Sequence, residues 1–486
     1  MNGSASGFKN DVNLYHAMET GDPVTRDIQT GESSWGLVSY LFRLNYSFKN
    51  KYMLTISGRQ DGSSRLTEGN KWAFFPSVAL AWRASEEKFI QNLKIFSNLK
   101  IRASYGTSGS QSIAPYSTID KLRSGSTVIG NQEVITFSPA SSANKNLGWE
   151  RTKQFDFGID AGFLGGRLNI ELDYYYKKTT DLLLERELPY QTGFNSILEN
   201  VGAVKNYGFE FTVNSVNIDT RNFKWSTNLS ISANRNKILN LGDKEFLENG
   251  RGSRLIVGQP MGTFWGVKYL GTWKANEILE GSKHQPGDPK LQDLNDDDII
   301  NIKDGQIIGN AEPKFYGGLS NDFTYKNWTL GLFFDFSYGN DIYDLSGRDM
   351  ETGFNCNVYG RNRDRWSESN PNGYYPKAGS AFTNIYDTYA GGEFNGGCSL
   401  YLHDGSYIRL KNINLQYEIP LRNKNIIKSL QVYGTVSNLF TITKYMGYSP
   451  DVNVVDDSSK EATRRGFDSN AYPQNRTYLI GIKAQF

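Results

Sequence analysis

Along most of this chain, apolar and polar residues alternate one by one. Phe155, Phe157, Ile159, Ala161 and Phe163 share one parity, while Gln154, Asp156, Gly158, Asp160 and Gly162 take the other. Beyond Gly165 and Gly166 the pattern resumes, with Leu168, Ile170, Leu172, Tyr174 and Tyr176 set against Asn169, Glu171, Asp173, Tyr175 and Lys177. A period of two sends successive side chains to opposite faces of a strand, so this stretch predicts two long strands joined by a tight turn. The same signature recurs from Val38 to Phe48, Tyr52 to Arg59, Leu99 to Tyr105, Phe209 to Asn214, Trp225 to Asn234 and Leu330 to Phe336. One segment changes phase. Ile408 and Leu410 lie on one parity and Ile413, Leu415 and Tyr417 on the other, which predicts a β-bulge near Lys411.

These runs reach about ten residues or more, whereas soluble strands average nearer five or six. About ten residues is what a tilted strand needs to cross a bilayer. Aromatic residues close many runs, among them Tyr40, Phe48, Tyr52, Trp82, Tyr105, Tyr176, Trp225 and Trp328. Amphipathic rings at strand ends suit a membrane interface. The alternative is a β-sandwich with aromatics at its rim. Connections also alternate. They are short at Lys49-Asn50, Gly165-Gly166, Asp219 to Asn222, Lys326-Asn327 and Arg422 to Asn425, and long at 108–147, 236–313, 339–404 and 439–475. Short turns on one side and long loops on the other fit an outer-membrane barrel with its long loops outside. The expected fold class is all-β, a transmembrane antiparallel barrel contributing about thirteen strands. Residues 1–35 read as an extracellular loop segment and 36–486 as barrel. The last strand places Tyr478, Ile480, Ile482, Ala484 and the terminal Phe486 on one parity. Tyr478, Ile480, Ile482 and Phe486 therefore read as an assembly signal for insertion into the outer membrane.

Composition supports this picture. Aromatics make up 14%, led by Tyr 29 and Phe 28, and glycine stands at 49. Lys+Arg 53 against Asp+Glu 51 gives no electrostatic reason to expect a nucleic-acid partner. Mean hydropathy of −0.53 is low, as alternating strands make it, and no apolar run is long enough for a transmembrane helix. The opening residues MNGSASGFKN lack the basic and apolar regions of a signal peptide. Cys356 and Cys398 stand in one long connection, and disulfide and free thiols remain equal alternatives.

Several blocks follow one another in order along the chain. They are Arg59-Gln-Asp-Gly-Ser-Ser64 followed by Phe75-Pro-Ser77 and Trp82, then Leu99-Lys-Ile-Arg-Ala-Ser-Tyr-Gly106 and Leu147-Gly-Trp-Glu150. Tyr174-Tyr-Tyr-Lys-Lys-Thr-Thr-Asp-Leu-Leu183, Asp404-Gly-Ser-Tyr-Ile-Arg-Leu-Lys-Asn412, Asn438-Leu-Phe440 and Tyr472-Pro-Gln-Asn-Arg-Thr477 complete the series. In this order they resemble SusC/RagA-type TonB-dependent transporters of the Bacteroidetes outer membrane. The resemblance implies a barrel of roughly 22 strands with an N-terminal plug. It implies import of oligosaccharides or peptides, a SusD-like lipoprotein lid, the TonB complex as energy source, outer-membrane lipid around the wall, and a dimer of such pairs. No plug or TonB box is read in this chain, and an open half-barrel would leave unpaired edges in lipid. The chain is therefore expected to be the C-terminal barrel portion of a longer protein.

Two groups of residues carry candidate chemistry. Asp293, Asn295, Asp297, the Ile299 carbonyl and Asp304 are spaced like the ligands of a calcium loop, although Asp298 stands where such loops place glycine. The alternative is a solvated acidic loop. Arg361, Arg365, Trp366, Tyr374, Tyr386 and Tyr389 are candidates for substrate or lid contact, with packing between loops as the alternative. Catalysis finds no support. His16, His284 and His403 are far apart and read as exposed loop residues, and Asp156, Asp160, Glu171, Asp173 and Glu210 read as acids of a polar lumen. No cofactor is required, with Ca2+ the one candidate. A lidless siderophore-type receptor and a soluble carbohydrate-binding protein are the competing functions.

Overall fold

The computed structural model describes residues 2–8, 22, 27–29, 32–111, 113–141, 143–194, 196–250, 252–282, 284–347, 359–378, 397–421, 426–452 and 463–486. Thirteen long strands, each paired with its neighbours in chain order, form one antiparallel sheet. They are β1 (Leu37–Phe48), β2 (Tyr52–Ser63), β3 (Trp72–Arg83), β4 (Phe96–Ser110), β5 (Glu150–Phe163), β6 (Leu168–Glu187) and β7 (Ser196–Asp219). β8 (Phe223–Leu241), β9 (Phe315–Tyr325), β10 (Trp328–Tyr338), β11 (Tyr407–Glu418), β12 (Ser429–Thr443) and β13 (Thr477–Gln485) complete it. The sheet is open, with β1 and β13 at its edges and β13 paired to β12.

The predicted turns form for local reasons. Lys49 and Asn50 both take φ 53°, a mirror-image turn closed by the Lys51 amide donating to the Phe48 carbonyl at 3.0 Å. The Arg422 to Asn425 turn lies outside the described residues. The phase change in β11 is a bulge. Phe333 pairs with Asn412 and Phe334 with Leu410, so Lys411 is left out of register.

One face of the sheet is apolar and open. Leu80, Phe155, Phe209 and Ile480 are 57%, 41%, 55% and 85% exposed. Among the described residues no second sheet covers them, which rules out the sandwich. A continuous apolar face of this size is stable only against lipid. Tyr478, Ile482 and Phe486 share that exposure.

Two features go beyond what the alternation predicts, and one boundary moves. The central strands are far longer than a membrane needs, with 20 residues in β6, 24 in β7 and 19 in β8. Their outer halves project beyond the bilayer, and the connection expected to leave the sheet at Asn236 does so after Leu241. The long connections are also not simple loops. A core of Phe264, Val267, Tyr269, Leu291, Tyr343, Leu345, Tyr375, Cys398, Leu400, Tyr401 and Phe467 unites three of them. Short strands join across connections. Thr263–Val267 pairs with Gly397–Cys398, and Asp341–Asp344 pairs with both Leu402–Asp404 and Phe467–Asp468. Gly266 is required here, because a Cβ would stand 2.0 Å from the Gly397 carbonyl oxygen. The described part of segment 1–35 includes a pairing of Asn2–Ser4 with Asp27–Gln29.

Candidate functional site

The inner face of the wall has two sectors. On β4, β5 and β6 it is charged. Arg102 donates to Asp160 at 2.7 Å and reaches Asp173 at 3.0 Å, and Lys100 stands 3.8 Å from Asp160. Ser104 and Gln154 both donate to Asp156, at 2.9 and 2.7 Å. Gly158 lies between Arg102 and Asp173 in register, and a Cβ there would come within 2.3 Å of the Asp173 carboxylate. The missing side chain lets the ion pair close across an intervening strand. Thus the structure gathers Asp156, Asp160 and Asp173, as their parity predicted. Arg102, the cation that organises them, was not singled out by sequence.

On β8 through β12 the wall is mostly amide and hydroxyl. Asn228, Ser230, Asn414, Gln416, Thr435 and Gln431 have the inward parity of their strands. Tyr175 extends across Gly208 to donate to Asn234 at 2.7 Å. Such a surface exchanges hydrogen bonds with a hydrated polar solute without holding it tightly.

Above the wall, the cap is tied down by buried charge. Asp344, fully buried, accepts from Arg361 at 2.9 Å and from the Gly347 amide at 2.6 Å. His403 Nε2 lies 3.8 Å from Asp344, and Tyr445 donates to Asp468 at 2.6 Å. Burial, with Arg361 nearby, pushes His403 down to about 4, so it is neutral at physiological pH. Burial raises Asp468 above the usual carboxylate range. His403 is thus no exposed loop histidine. His284 stacks on Trp273 at 4.7 Å, and His16 lies outside the described residues.

A second anchor fastens the 444–476 connection to the wall. Arg409, 2% exposed, donates to Asp451 at 2.7 Å, Gln474 at 2.8 Å and Thr441 at 2.9 Å. Burial opposes ionisation of Asp451, but hydrogen bonds from Arg409 and Ser449 outweigh it and hold this carboxyl down at about 2. Arg409 belongs to the Asp404 to Asn412 block, which was the signal available in sequence.

The acidic loop has the expected turn shape with different use of its oxygens. Asp293 accepts from the amides of Asn295, Asp296 and Asp298 at 3.1, 2.8 and 2.8 Å. Asp297 accepts from the Ile299 amide, and Asn295 Nδ2 donates to Asp297. Asp304 is fully buried, and its two oxygens accept from the amides of Leu294 and Asn301 at 2.9 and 2.8 Å. Asp298 takes φ 58°, the backbone state for which glycine is preferred. Among the described residues no three His, Cys, Asp or Glu side chains converge to hold a metal ion. In this conformation the carboxylates of Asp293 and Asp304 are both engaged by backbone amides.

Of the loop candidates, Arg361 is turned inward to Asp344. Trp366 packs over Gly287, where a Cβ would meet its ring at 2.5 Å. The Arg365 and Trp366 backbone bridges to Tyr375, and Tyr374 remains 51% exposed. Tyr386, Tyr389 and Cys356 lie outside the described residues, while Cys398 is buried.

Comparison with known proteins agrees with this architecture. The family described as "TonB dependent receptor-like, beta-barrel" matches residues 3–439. TonB-dependent receptor P26 of Formosa agariphila is 38% identical over 99% of this chain and 49% of its own length. TonB-dependent receptor SusC of Bacteroides thetaiotaomicron is 30% identical over 93% of this chain and 44% of its own. The chain thus spans about half the length of the curated relatives it matches. Among solved structures, the RagAB peptide transporter superposes with a TM-score of 0.75 at 26% identity, covering 93% of this chain and 48% of that one. These relatives are named receptors and transporters rather than enzymes. A thirteen-stranded wall, apolar outside and polar within, joins these matches in placing the chain in the TonB-dependent receptor-like β-barrel family, of SusC/RagA type, in the outer membrane.

Proposed function

We propose that this chain is the channel wall and extracellular cap of a TonB-driven importer. In this reading the importer works with a SusD-like surface lipoprotein and takes up oligosaccharides or peptides. The observation that carries it is the co-folded cap. Three long connections share one core and two buried charge anchors, giving a stiff rim on which a lid can seat. Support also comes from the RagAB peptide transporter and from SusC, both similar to this chain across most of its length. A plug and a TonB contact would belong to the part of such a protein outside these residues.

Mild detergent extraction of the full-length protein should bring down a lipoprotein in stoichiometric amount. Cells should also lose growth on one class of polymer when the gene is removed or TonB is uncoupled. Extraction without any lipoprotein, together with iron-dependent rather than polymer-dependent growth, would overturn the proposal in favour of a lidless siderophore receptor.

A further inference from the structure

The cross-strand register places four lysines in one line on the lipid-facing side. Lys153 on β5 pairs with Lys178 on β6, Lys178 with Lys205 on β7, and Lys205 with Lys237 on β8. All four share the parity of the outward aromatics on their strands. The next row toward the membrane is Phe155, Tyr176, Tyr207 and Arg235, and the one below it Phe157, Tyr174, Phe209 and Ala233. Like charges directly opposite one another on neighbouring strands repel. Among the described residues none of the four lysines has an ion-pair partner, and Lys205 lies 5.3 Å from the Tyr207 ring centre. A folded sheet that accumulates such repulsion calls for an external anion.

The height of the row says which anion. Ten residues separate Lys153 from Phe163 at the short-turn end of β5. At the usual rise and barrel tilt this lifts the row about 26 Å above that turn, against an apolar band about 25 Å tall. The lysines therefore sit where hydrocarbon meets headgroups on the long-loop, outward side. Neighbouring strands lie about 4.8 Å apart, so the row is about 14 Å wide, broad enough for more than one phosphate.

We infer that this lysine row is a binding site for the phosphate groups of a phosphorylated glycolipid in the outer leaflet. The acyl chains of that lipid would lie on the aromatic rows beneath. Ammonium-to-phosphate contacts at a headgroup boundary are charge-assisted and only partly screened. The position at the hydrocarbon edge favours a lipid over an acidic protein partner, which would approach from the aqueous side.

The test uses the full-length transporter and its quadruple variant K153Q/K178Q/K205Q/K237Q, with the matching lysine-to-arginine quadruple as control. Each is titrated in neutral detergent with lipid A, with the same glycolipid after dephosphorylation, and with inorganic phosphate. Native mass spectrometry and melting temperature are the readouts. Wild type and the arginine variant should retain lipid A and melt higher with it than with the dephosphorylated lipid. The glutamine variant should lose about tenfold or more in apparent affinity. In neutral detergent alone it should melt no lower than wild type, because repulsion has been removed. Equal lipid A binding by the glutamine variant would overturn the inference, as would an equal gain from inorganic phosphate or a lower melt in neutral detergent. Loss of a co-purifying protein with lipid binding unchanged would instead reassign the row to protein docking.

Discussion

Replacing Asp451 by Asn should release the 444–476 connection from the wall without unfolding the sheet. The magnitude follows from two routes. The Asp451 carboxyl falls from 3.8 to about 2 in the folded protein, and its side chain is 24% exposed. That difference corresponds to about 2 kcal/mol after allowing for partial exposure. Breaking a buried pair by removing one partner costs about 3–5 kcal/mol when the other charge is stranded. Here Arg409 keeps Thr441 and Gln474, so the lower part of that range applies. A loss of about 2–3 kcal/mol should accelerate hydrogen exchange in the described part of this connection by about 30-fold or more at pH 7. Exchange in β9 and β10 should not change. The pH dependence has a definite sign. A depressed carboxyl contributes in full above its ordinary value, and the contribution disappears as pH falls from about 4 toward 2. Wild type and variant should therefore converge in acid. Equal protection at pH 7, or a gap that widens in acid, would refute the reasoning.

Gly158→Val should push Asp173 and Arg102 apart, lowering stability by about 1–3 kcal/mol through overpacking, seen as a lower melting temperature in detergent. Gly158→Ala should follow the same direction more weakly. His403 is neutral in the folded cap, so the cap should gain protease sensitivity as pH falls from about 6.5 toward 4, and His403→Gln should remove part of that change. The raised Asp468 acts in the opposite sense as pH falls toward its ordinary value, so a full loss of pH dependence in the variant is not expected. Asp304→Asn should loosen the 293–304 loop by about 1–3 kcal/mol through its two amide bonds, as measured by exchange. Chelator or added calcium should leave exchange in that loop unchanged in the wild type, and a calcium-dependent rise in protection would restore the metal reading.

Much of the wall was legible in sequence because its signal is local. Alternation at a period of two assigns each side chain to a face before any neighbour is known, so the inward acids Asp156, Asp160 and Asp173 and the outward Phe155, Tyr478 and Ile480 could be sorted directly. The Lys49-Asn50 turn and the bulge at Lys411 were equally readable, being matters of a few adjacent residues. The acidic loop showed its turn shape but not its use, since ligand spacing does not reveal that Asp304 faces the Leu294 and Asn301 amides. Tertiary structure alone decided everything that depends on register or on distant segments. Burial of His403 needs Asp344, Arg361 and Tyr445, from two different connections, to close around it. The Arg409–Asp451 anchor joins residues 42 apart, and the strand extensions beyond the bilayer exist because β6, β7 and β8 support one another. The lysine row is the sharpest case. Each lysine is an ordinary outward residue on its own strand, and only the pairing of four strands sets them side by side, because faces follow from local period while neighbours follow from register.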